Sequence, residues 1–237
     1  MNRLNELNDL DSEHEINTNQ VVIDIEPQIF QDYTSLIKKL KLIENNIKEL
    51  KFSIENYEII SKERDEKIIE MQTKLGNEIK ATKSQIENLT REIFSPNSEE
   101  IINIKKQQNK ALIQRLSDII RDYQELNNEY KNKKTKVIVH MIQITHADQN
   151  LTDEQTQEIA QDLIISGANL NLFSQSKDKL AEIIENKNDI LRIEQSMKEL
   201  NQMFIDLAIL VNEQGEGLVD IDKNVDRANN VVESGRH

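Results

Sequence analysis

Few residues of this 237-residue chain have the types and spacing that catalysis or metal binding requires. The chain contains no Cys, which excludes disulfides, thiolate metal sites and cysteine nucleophiles. His140 and His146 are six residues apart and lie on different faces of a helix, which disfavours a metal site. Gly215-Glu216-Gly217 has no strand before it, which disfavours a phosphate-binding loop. We therefore expect no catalytic site, no metal, no cofactor and no enzyme activity.

One polar residue stands out because of where it lies. Gln214 interrupts a C-terminal stripe of apolar residues whose spacing alternates between three and four. An unpaired buried amide costs about 1–3 kcal/mol, so a glutamine in such a stripe typically selects the register and the partner helices. The alternative is a tolerated polar residue in a homomeric coiled coil. The apolar members of the stripe are Ile190, Ile193, Met197, Leu200, Phe204, Leu207, Val211, Leu218, Ile221, Val225, Ala228 and Val232.

The length of this stripe determines what must cover it. Counted from Ile190 to Gly235, which continues the same spacing, it extends for about 70 Å at about 1.5 Å per helical residue. A single helix cannot bury such a stripe on itself, so it must pack on partner helices or on the rest of the chain.

A basic cluster lies in the middle of an acidic chain. Lys131, Lys133, Lys134 and Lys136 fall within six residues, whereas the whole chain carries a net charge of −13. We interpret the cluster as a solvated helix face, with contact to anionic lipid or to an acidic partner as the alternative. The acidic balance excludes general nucleic-acid binding, which needs a basic surface.

The elements that position these residues are long helices. Gly and Pro together number only seven, and 31% of the residues are charged, which is typical of amphipathic helices and not of turn-rich folds. No run of 18 apolar residues occurs, so the printed sequence has no candidate membrane span. The predicted fold class is all-α. It is an antiparallel three-helix N-terminal bundle plus a long C-terminal coiled-coil helix that can fold back as a fourth helix.

Changes in apolar spacing divide the chain into four parts. We expect a flexible N-terminal arm over residues 1–26, the three-helix bundle over 27–146, a linker over 147–178 and the long helix over 179–237. Within the bundle the spacing predicts three helices, separated by a turn at Ser61–Lys67 and a break before Ser98; their ranges are about 28–60, 68–93 and 98–146. The heptad stripe of the third helix includes His140 and Ile144.

Two short motifs refine this outline. Ser98, followed by Glu99 and Glu100, predicts an N-cap with acids at the positive end of a helix. Thr152-Asp153-Glu154-Gln155 fits a capping box and Gly167 fits a helix stop, which predicts a short helix over about 153–165 within the linker.

The C-terminal stripe is accompanied by further identities. They are Leu180-Ala181-Glu182-Ile183, the run from Asp189-Ile190-Leu191-Arg192 to Asn201-Gln202-Met203-Phe204, Asp206-Leu207-Ala208, Val211-Asn212-Glu213-Gln214-Gly215-Glu216 and Asn224-Val225-Asp226-Arg227-Ala228. Together these segments resemble the SNARE motif of the syntaxin family. The resemblance implies that Gln214 is the ionic-layer glutamine of a Qa-SNARE and that the stripe supplies its apolar layers.

The resemblance also implies partners and a mechanism. A target-membrane Qa-SNARE assembles with a synaptobrevin-like R-SNARE and with Qb and Qc SNAREs into a parallel four-helix complex. That assembly drives vesicle docking, membrane fusion and exocytosis. The N-terminal bundle would autoinhibit assembly by folding back onto the SNARE motif. A non-fusogenic coiled-coil scaffold is the alternative.

Two other segments extend the resemblance. Tyr123-Gln124-Glu125-Leu126-Asn127-Asn128-Glu129-Tyr130, with Ile142-Gln143-Ile144-Thr145 after the basic run, resembles the third helix of plasma-membrane-type syntaxins. Asn2-Arg3-Leu4-Asn5-Glu6-Leu7 is similar to their N-terminal peptide, which implies that Arg3 and Leu7 bind a Sec/Munc-type regulator. The family location is the cytoplasmic face of the plasma membrane, or of an endosomal or Golgi-derived membrane. A single-pass anchor is expected beyond residue 237.

Overall fold

A computed structural model of the chain describes residues 30–56, 62–93, 98–146, 150–168, 170–173 and 176–213. Within these ranges the chain forms five α-helices and a short 3₁₀ helix, and it forms no strand. The all-α fold class predicted from the sequence is confirmed. The helices are α1 (Gln31–Glu55), α2 (Lys62–Glu92), α3 (Glu99–Thr145), α4 (Asp153–Ser166) and α5 (Lys177–Glu213), with the 3₁₀ helix at Leu170–Phe173 between α4 and α5.

Helices α1, α2 and α3 form the expected antiparallel bundle. Each buries one apolar stripe in a common core, and that of α1 comprises Tyr33, Leu36, Leu40, Ile43, Ile47, Leu50 and Ile54. Cross-helix hydrogen bonds define the directions. Lys39 of α1 donates to Gln85 of α2, and Asn109 of α3 donates to Thr90 of α2. Early residues of one helix therefore meet late residues of the next.

Local sequence predicts the start of α3 correctly but not the start of α2. Ser98 caps α3 as predicted, because its hydroxyl accepts a hydrogen bond from the backbone N–H of Ile101 at 3.4 Å. The turn predicted at Ser61–Lys67 is wrong, because α2 already begins at Lys62. All but one of the charged residues there are Lys, Glu or Arg, which are good helix formers. The exception, Asp65, takes part in contacts with α3.

The second half of α3 also differs from the prediction. The heptad stripe placed His140 and Ile144 on the buried face, but His140 is exposed and Ile144 is 55% exposed. A straight helix drifts by about 20° per heptad relative to a 3.5-residue repeat. The buried face accordingly moves to Lys134, Ile138, Met141 and Ile142.

The linker builds a second, smaller core against this shifted face. Helix α4 occupies the predicted range and has the predicted capping box between Thr152 and Gln155, and Gly167 ends it with a positive φ of 72°. It packs on the end of α3 and on the start of α5. The buried members of this second core are Val137, Ile138, Met141, Ile142, Ala160, Leu163, Ile164, Phe173, Ile183 and Ile190.

Helix α5 folds back and lies in the groove between α2 and α3. It is antiparallel to α3, since Glu194 lies beside Lys131, and Lys179, which is earlier in α5, lies beside Thr145, which is later in α3. It is parallel to α2. Asp65 of α2 and Asp189 of α5 both contact Lys134, and farther along the same two helices Lys83 contacts Asp206. The described part of the C-terminal helix is therefore a fourth helix of the bundle.

Candidate functional site

The face of α5 that enters the groove is the predicted stripe. All stripe positions within the described residues are buried, with exposures of 0–7%: Ile190, Ile193, Met197, Leu200, Phe204, Leu207 and Val211. The remaining candidates lie outside the described residues: Gln214, Leu218, Ile221, Val225, Ala228 and Val232 at the C-terminal end, and Arg3 and Leu7 at the N-terminal end.

The stripe is shared between the two cores. Ile190 belongs to the smaller core with α4, whereas Ile193 to Val211 join the main core of the bundle. Fully buried partners such as Ile79 and Tyr123 belong to the same main core. Burial of apolar area at about 25 cal/mol per Å² is the main force that holds α5 in place. The stripe cannot contact other helices while it is docked in this way.

Three acids of α5 pair with three lysines of the bundle. Lys131 Nζ lies 2.7 Å from Glu194 Oε1, and Lys83 Nζ lies 2.7 Å from Asp206 Oδ2. The third lysine is Lys134, whose side chain is only 1% exposed and whose Nζ lies 3.0 Å from Asp189 Oδ2. The contacts cross from α3 and α2 to α5, so charge and apolar burial act on the same interface.

The basic cluster is thus not a solvated face, and that interpretation is wrong for three of its four members. Lys131 and Lys134 reach α5, and Lys133 Nζ donates to the backbone carbonyl of Ile54 at 2.5 Å, near the C-terminal end of α1. Lys136 remains exposed. The acidic partner that was the alternative lies within the same chain.

Sequence reasoning missed the acids that meet these lysines. Asp65 lay in the predicted turn, and Asp189 and Asp206 were not distinguished from the other acids of a chain with 43 Asp and Glu residues. One usable signal was present. Asp189 directly precedes Ile190 at the start of the stripe, where an acid is at the edge of the buried face.

The electrostatic setting of the Lys83–Asp206 pair favours both charges. Burial acts to raise the pKa of the Asp206 carboxyl, but its hydrogen bonds with Lys83 and Gln202 outweigh this and lower the pKa. Burial likewise acts to lower the pKa of Lys83, and hydrogen bonds with Asp206 and Glu87 produce a net increase. The pair is therefore ionised at neutral pH.

A neutral polar group completes the junction of α2, α3 and α5. The Tyr123 hydroxyl donates to the backbone carbonyl of Gln72 at 2.6 Å, and Gln72 Nε2 donates to Asn127 Oδ1 at 2.8 Å. Burial raises the pKa of Tyr123 to about 12, although hydrogen bonds with Asn127 and with Ser196 of α5 act to lower it. Tyr123 therefore stays protonated and keeps its donor role.

Two kinds of site are absent from the described residues. Among them, no group of three or more His, Asp or Glu side chains is arranged to hold a metal ion. No helix within the same ranges combines the length and hydropathy needed to cross a bilayer. The notable feature is an apolar and charged helix surface that is docked on the chain's own bundle.

Comparison with known proteins identifies relatives of both parts. The SNARE domain family matches residues 181–237. Protein SSO1 of Saccharomyces cerevisiae is 30% identical to this chain over 244 aligned positions. The alignment covers 99% of this chain and 72% of SSO1, so it includes the bundle as well as the C-terminal helix.

Proposed function

Because this chain belongs to the syntaxin family of SNARE proteins, we propose that it is a target-membrane Qa-SNARE whose own bundle regulates its assembly. Members of this family are non-enzymatic proteins of membrane fusion and vesicle transport. The chain is accordingly a syntaxin-type SNARE that acts in membrane fusion and not an enzyme. Family membership disfavours a scaffold without a role in fusion.

The proposed fusion step uses residues 190–232 as one face of a parallel four-helix complex. Gln214 supplies the ionic layer, and the apolar stripe supplies the layers on both sides of it. The other helices come from a synaptobrevin-like R-SNARE and from Qb and Qc SNAREs. Burial of the apolar layers at about 25 cal/mol per Å² provides the free energy that draws two membranes together.

The observation that carries the proposed regulation is the burial of Ile190 to Val211 against α2, α3 and α4. The same side chains cannot face the bundle and three partner helices at once. The segment between α3 and α5 contains α4, which packs on both helices and so keeps α5 next to the bundle. The docked form is therefore an autoinhibited state.

The location and the regulator belong to the same proposal. The similarity to SSO1 along almost the whole chain supports a plasma-membrane-type syntaxin at the cytoplasmic face of that membrane. Arg3 and Leu7 are assigned to a peptide that binds a Sec/Munc-type regulator. A single-pass anchor C-terminal to residue 237 completes the assignment.

The role of Gln214 is tested by a charge exchange in the reconstituted complex. Gln214→Arg should lower the melting temperature when the R-SNARE carries its usual arginine, because two buried cations then face each other. The reciprocal Arg→Gln change in the R-SNARE should restore part of the loss. Gln214→Leu should retain or raise stability but weaken the choice of register and partner. Equal melting temperatures for all combinations would contradict the Qa assignment.

A further inference from the structure

The apolar stripe alone does not fix how far α5 lies along its groove. Positions seven residues apart are equivalent in a heptad pattern. Ile183, Ile190, Met197, Phe204 and Val211 follow one another at this spacing, so this half of the stripe again presents apolar residues when the helix slides by one heptad. In the other half, such a slide brings in one polar residue, Gln214 or Asn186. The slide would move α5 by about 10 Å along its axis. Apolar packing therefore distinguishes these registers only at single positions, and a further interaction would sharpen the choice.

A buried charge cluster provides such an interaction. Lys134 of α3 lies between two carboxylates, with Nζ 2.8 Å from Asp65 Oδ2 of α2 and 3.0 Å from Asp189 Oδ2 of α5. The hydroxyl of Tyr130 donates to Asp65 Oδ1 at 2.7 Å, and the Lys134 ammonium lies 5.5 Å from the Tyr130 ring centre. Lys134 is 1% exposed and the Asp189 side chain 9% exposed. The cluster thus joins three helices at one buried point.

A second cation joins this cluster. Two aspartates face one lysine, and Arg192 Nη2 of α5 lies 3.3 Å from Asp189 Oδ1. Buried charges are costly unless they are paired, and the loss of one partner destabilises more than the pair itself stabilises. A position of α5 that moves Asp189 away while Lys134 remains buried therefore costs free energy.

We propose that Lys134 and Lys131 together specify the register of α5 on the bundle, by accepting only the position that brings Asp189 and Glu194 to them. The inference deepens the proposed autoinhibition and rests on it. A slide by seven residues in one direction would bring Ser196 to Lys134 and Asn201 to Lys131, so both lysines would lose their acids on α5 and Lys134 would keep only Asp65 of α2. A slide in the other direction would bring the acid Glu182 to Lys134, but it would also bring Lys187 to Lys131, where like charges repel. Of these three registers, the observed one pairs both lysines with acids.

The position of the cluster also affects how α5 leaves the bundle. Asp189 immediately precedes Ile190, the first residue of the stripe, so the bundle recognises the end at which the stripe begins. When α5 leaves, Asp189 enters water, whereas Lys134 keeps Asp65 as a partner within the bundle. The lysine is therefore not left alone by opening. The cluster can therefore select the register of α5 and still allow α5 to leave the bundle.

A distance measurement on the full chain tests the proposal. Because the chain has no native Cys, nitroxide labels can be placed by Gln108→Cys on α3 and Lys198→Cys on α5, which are both exposed positions. A pulsed electron–electron distance measurement then reports the register. The parent chain and the control Glu185→Gln, which removes an exposed acid of α5, should each show one docked distance.

Variants of the cluster should add a second distance. Asp189→Asn and Lys134→Met should each produce a component displaced by up to about 10 Å, which corresponds to one heptad. The pair Asp189→Ser with Ser196→Asp preserves the net charge and moves the acid by one heptad. It should make the displaced component the major one. Thermal unfolding followed by circular dichroism confirms that each variant remains folded.

The outcomes separate this inference from the proposal beneath it. A single parental distance in all cluster variants would show that apolar packing sets the register, and it would overturn the inference. Complete release of α5 in the relocated variant, without a displaced docked component, would overturn it as well. A parent chain that lacks the docked distance would instead contradict the proposed autoinhibition.

Discussion

The α1–α3 contact and the α3–α5 contact both bury apolar stripes, but they use charge differently. Between α1 and α3, Arg115 and Glu44 form a two-pronged ion pair at the rim, where each side chain keeps 34% exposure. Between α3 and α5, Lys134 and Asp189 form an ion pair in the interior. A rim pair adds little to stability, whereas a buried pair adds specificity at little net gain in affinity.

This difference fits two kinds of interface. The bundle contact is permanent in the proposed mechanism and needs only a well-packed core. The α5 contact must form at one position and must also dissolve, because its stripe is required elsewhere. Acids that are well solvated after release lower the cost of leaving. A purely apolar docking face would bind strongly without a defined register.

The largest expected effect comes from breaking the buried pair. Lys134→Met removes the buried cation that the partly buried Asp65 and the buried Asp189 share, so it should destabilise the folded chain by about 3–5 kcal/mol. The matched change Arg115→Met removes a rim cation and should cost about 0–1 kcal/mol. Urea unfolding of the two full-length variants measures both. Equal losses would remove the distinction between the two interfaces.

The second largest expected effect comes from removing apolar side chains of α5. Phe204→Ala and Leu207→Ala delete side chains that are 1% and 0% exposed, and each should cost about 2–5 kcal/mol in the docked state. The exposed control Lys198→Ala should cost less than about 0.5 kcal/mol. Hydrogen exchange of α5 amides reports the loss locally. Similar protection in the Leu207 and Lys198 variants would contradict the facing of the helix.

The smallest expected effect is a weakening at acid pH. The pKa of Asp206 is lowered in the docked state, chiefly by Lys83 against the opposing effect of burial. Such a carboxylate stabilises the docked state above its unfolded pKa, and this contribution is lost as the pH falls through the lower folded value. The docked fraction of the labelled chain should therefore decrease below about pH 4.

Asp206→Asn provides the test of this assignment. It should reduce the acid dependence of docking, whereas Glu199→Gln, an exposed acid of the same helix, should leave it unchanged. The pKa of Glu44 is also lowered, mainly by its hydrogen bond with Arg115, so the bundle contributes its own acid sensitivity. If the Asp206 variant follows the parent curve, the Lys83 pair does not contribute to docking.

The stripes could be predicted from the sequence because apolar periodicity is a local property. The faces of α1 and α5, the Ser98 cap and the Thr152 capping box required only neighbouring residues. The exposure of His140 could not be predicted in the same way, because it depends on the second core that α4 builds against α3. A heptad extrapolation contains no information about a new neighbour.

The charge cluster was hidden for a related reason. Lys134 meets Asp65 and Asp189, which are 69 and 55 residues away along the chain. A lysine in a basic run usually remains in water, and only tertiary contact reveals the acids that balance it. The apolar part of the site followed from pattern, whereas its charge pairing followed from topology.

The rate of SNARE assembly tests the central claim most directly. The full chain and a fragment of residues 147–237 would be mixed in a stopped-flow instrument with a synaptobrevin-like R-SNARE and Qb and Qc SNARE fragments. Deletion of the bundle exposes the stripe, so the fragment should assemble faster than the full chain. The full chain with Lys198→Ala should match the parent. Equal rates for the fragment and the full chain would contradict autoinhibition by the bundle.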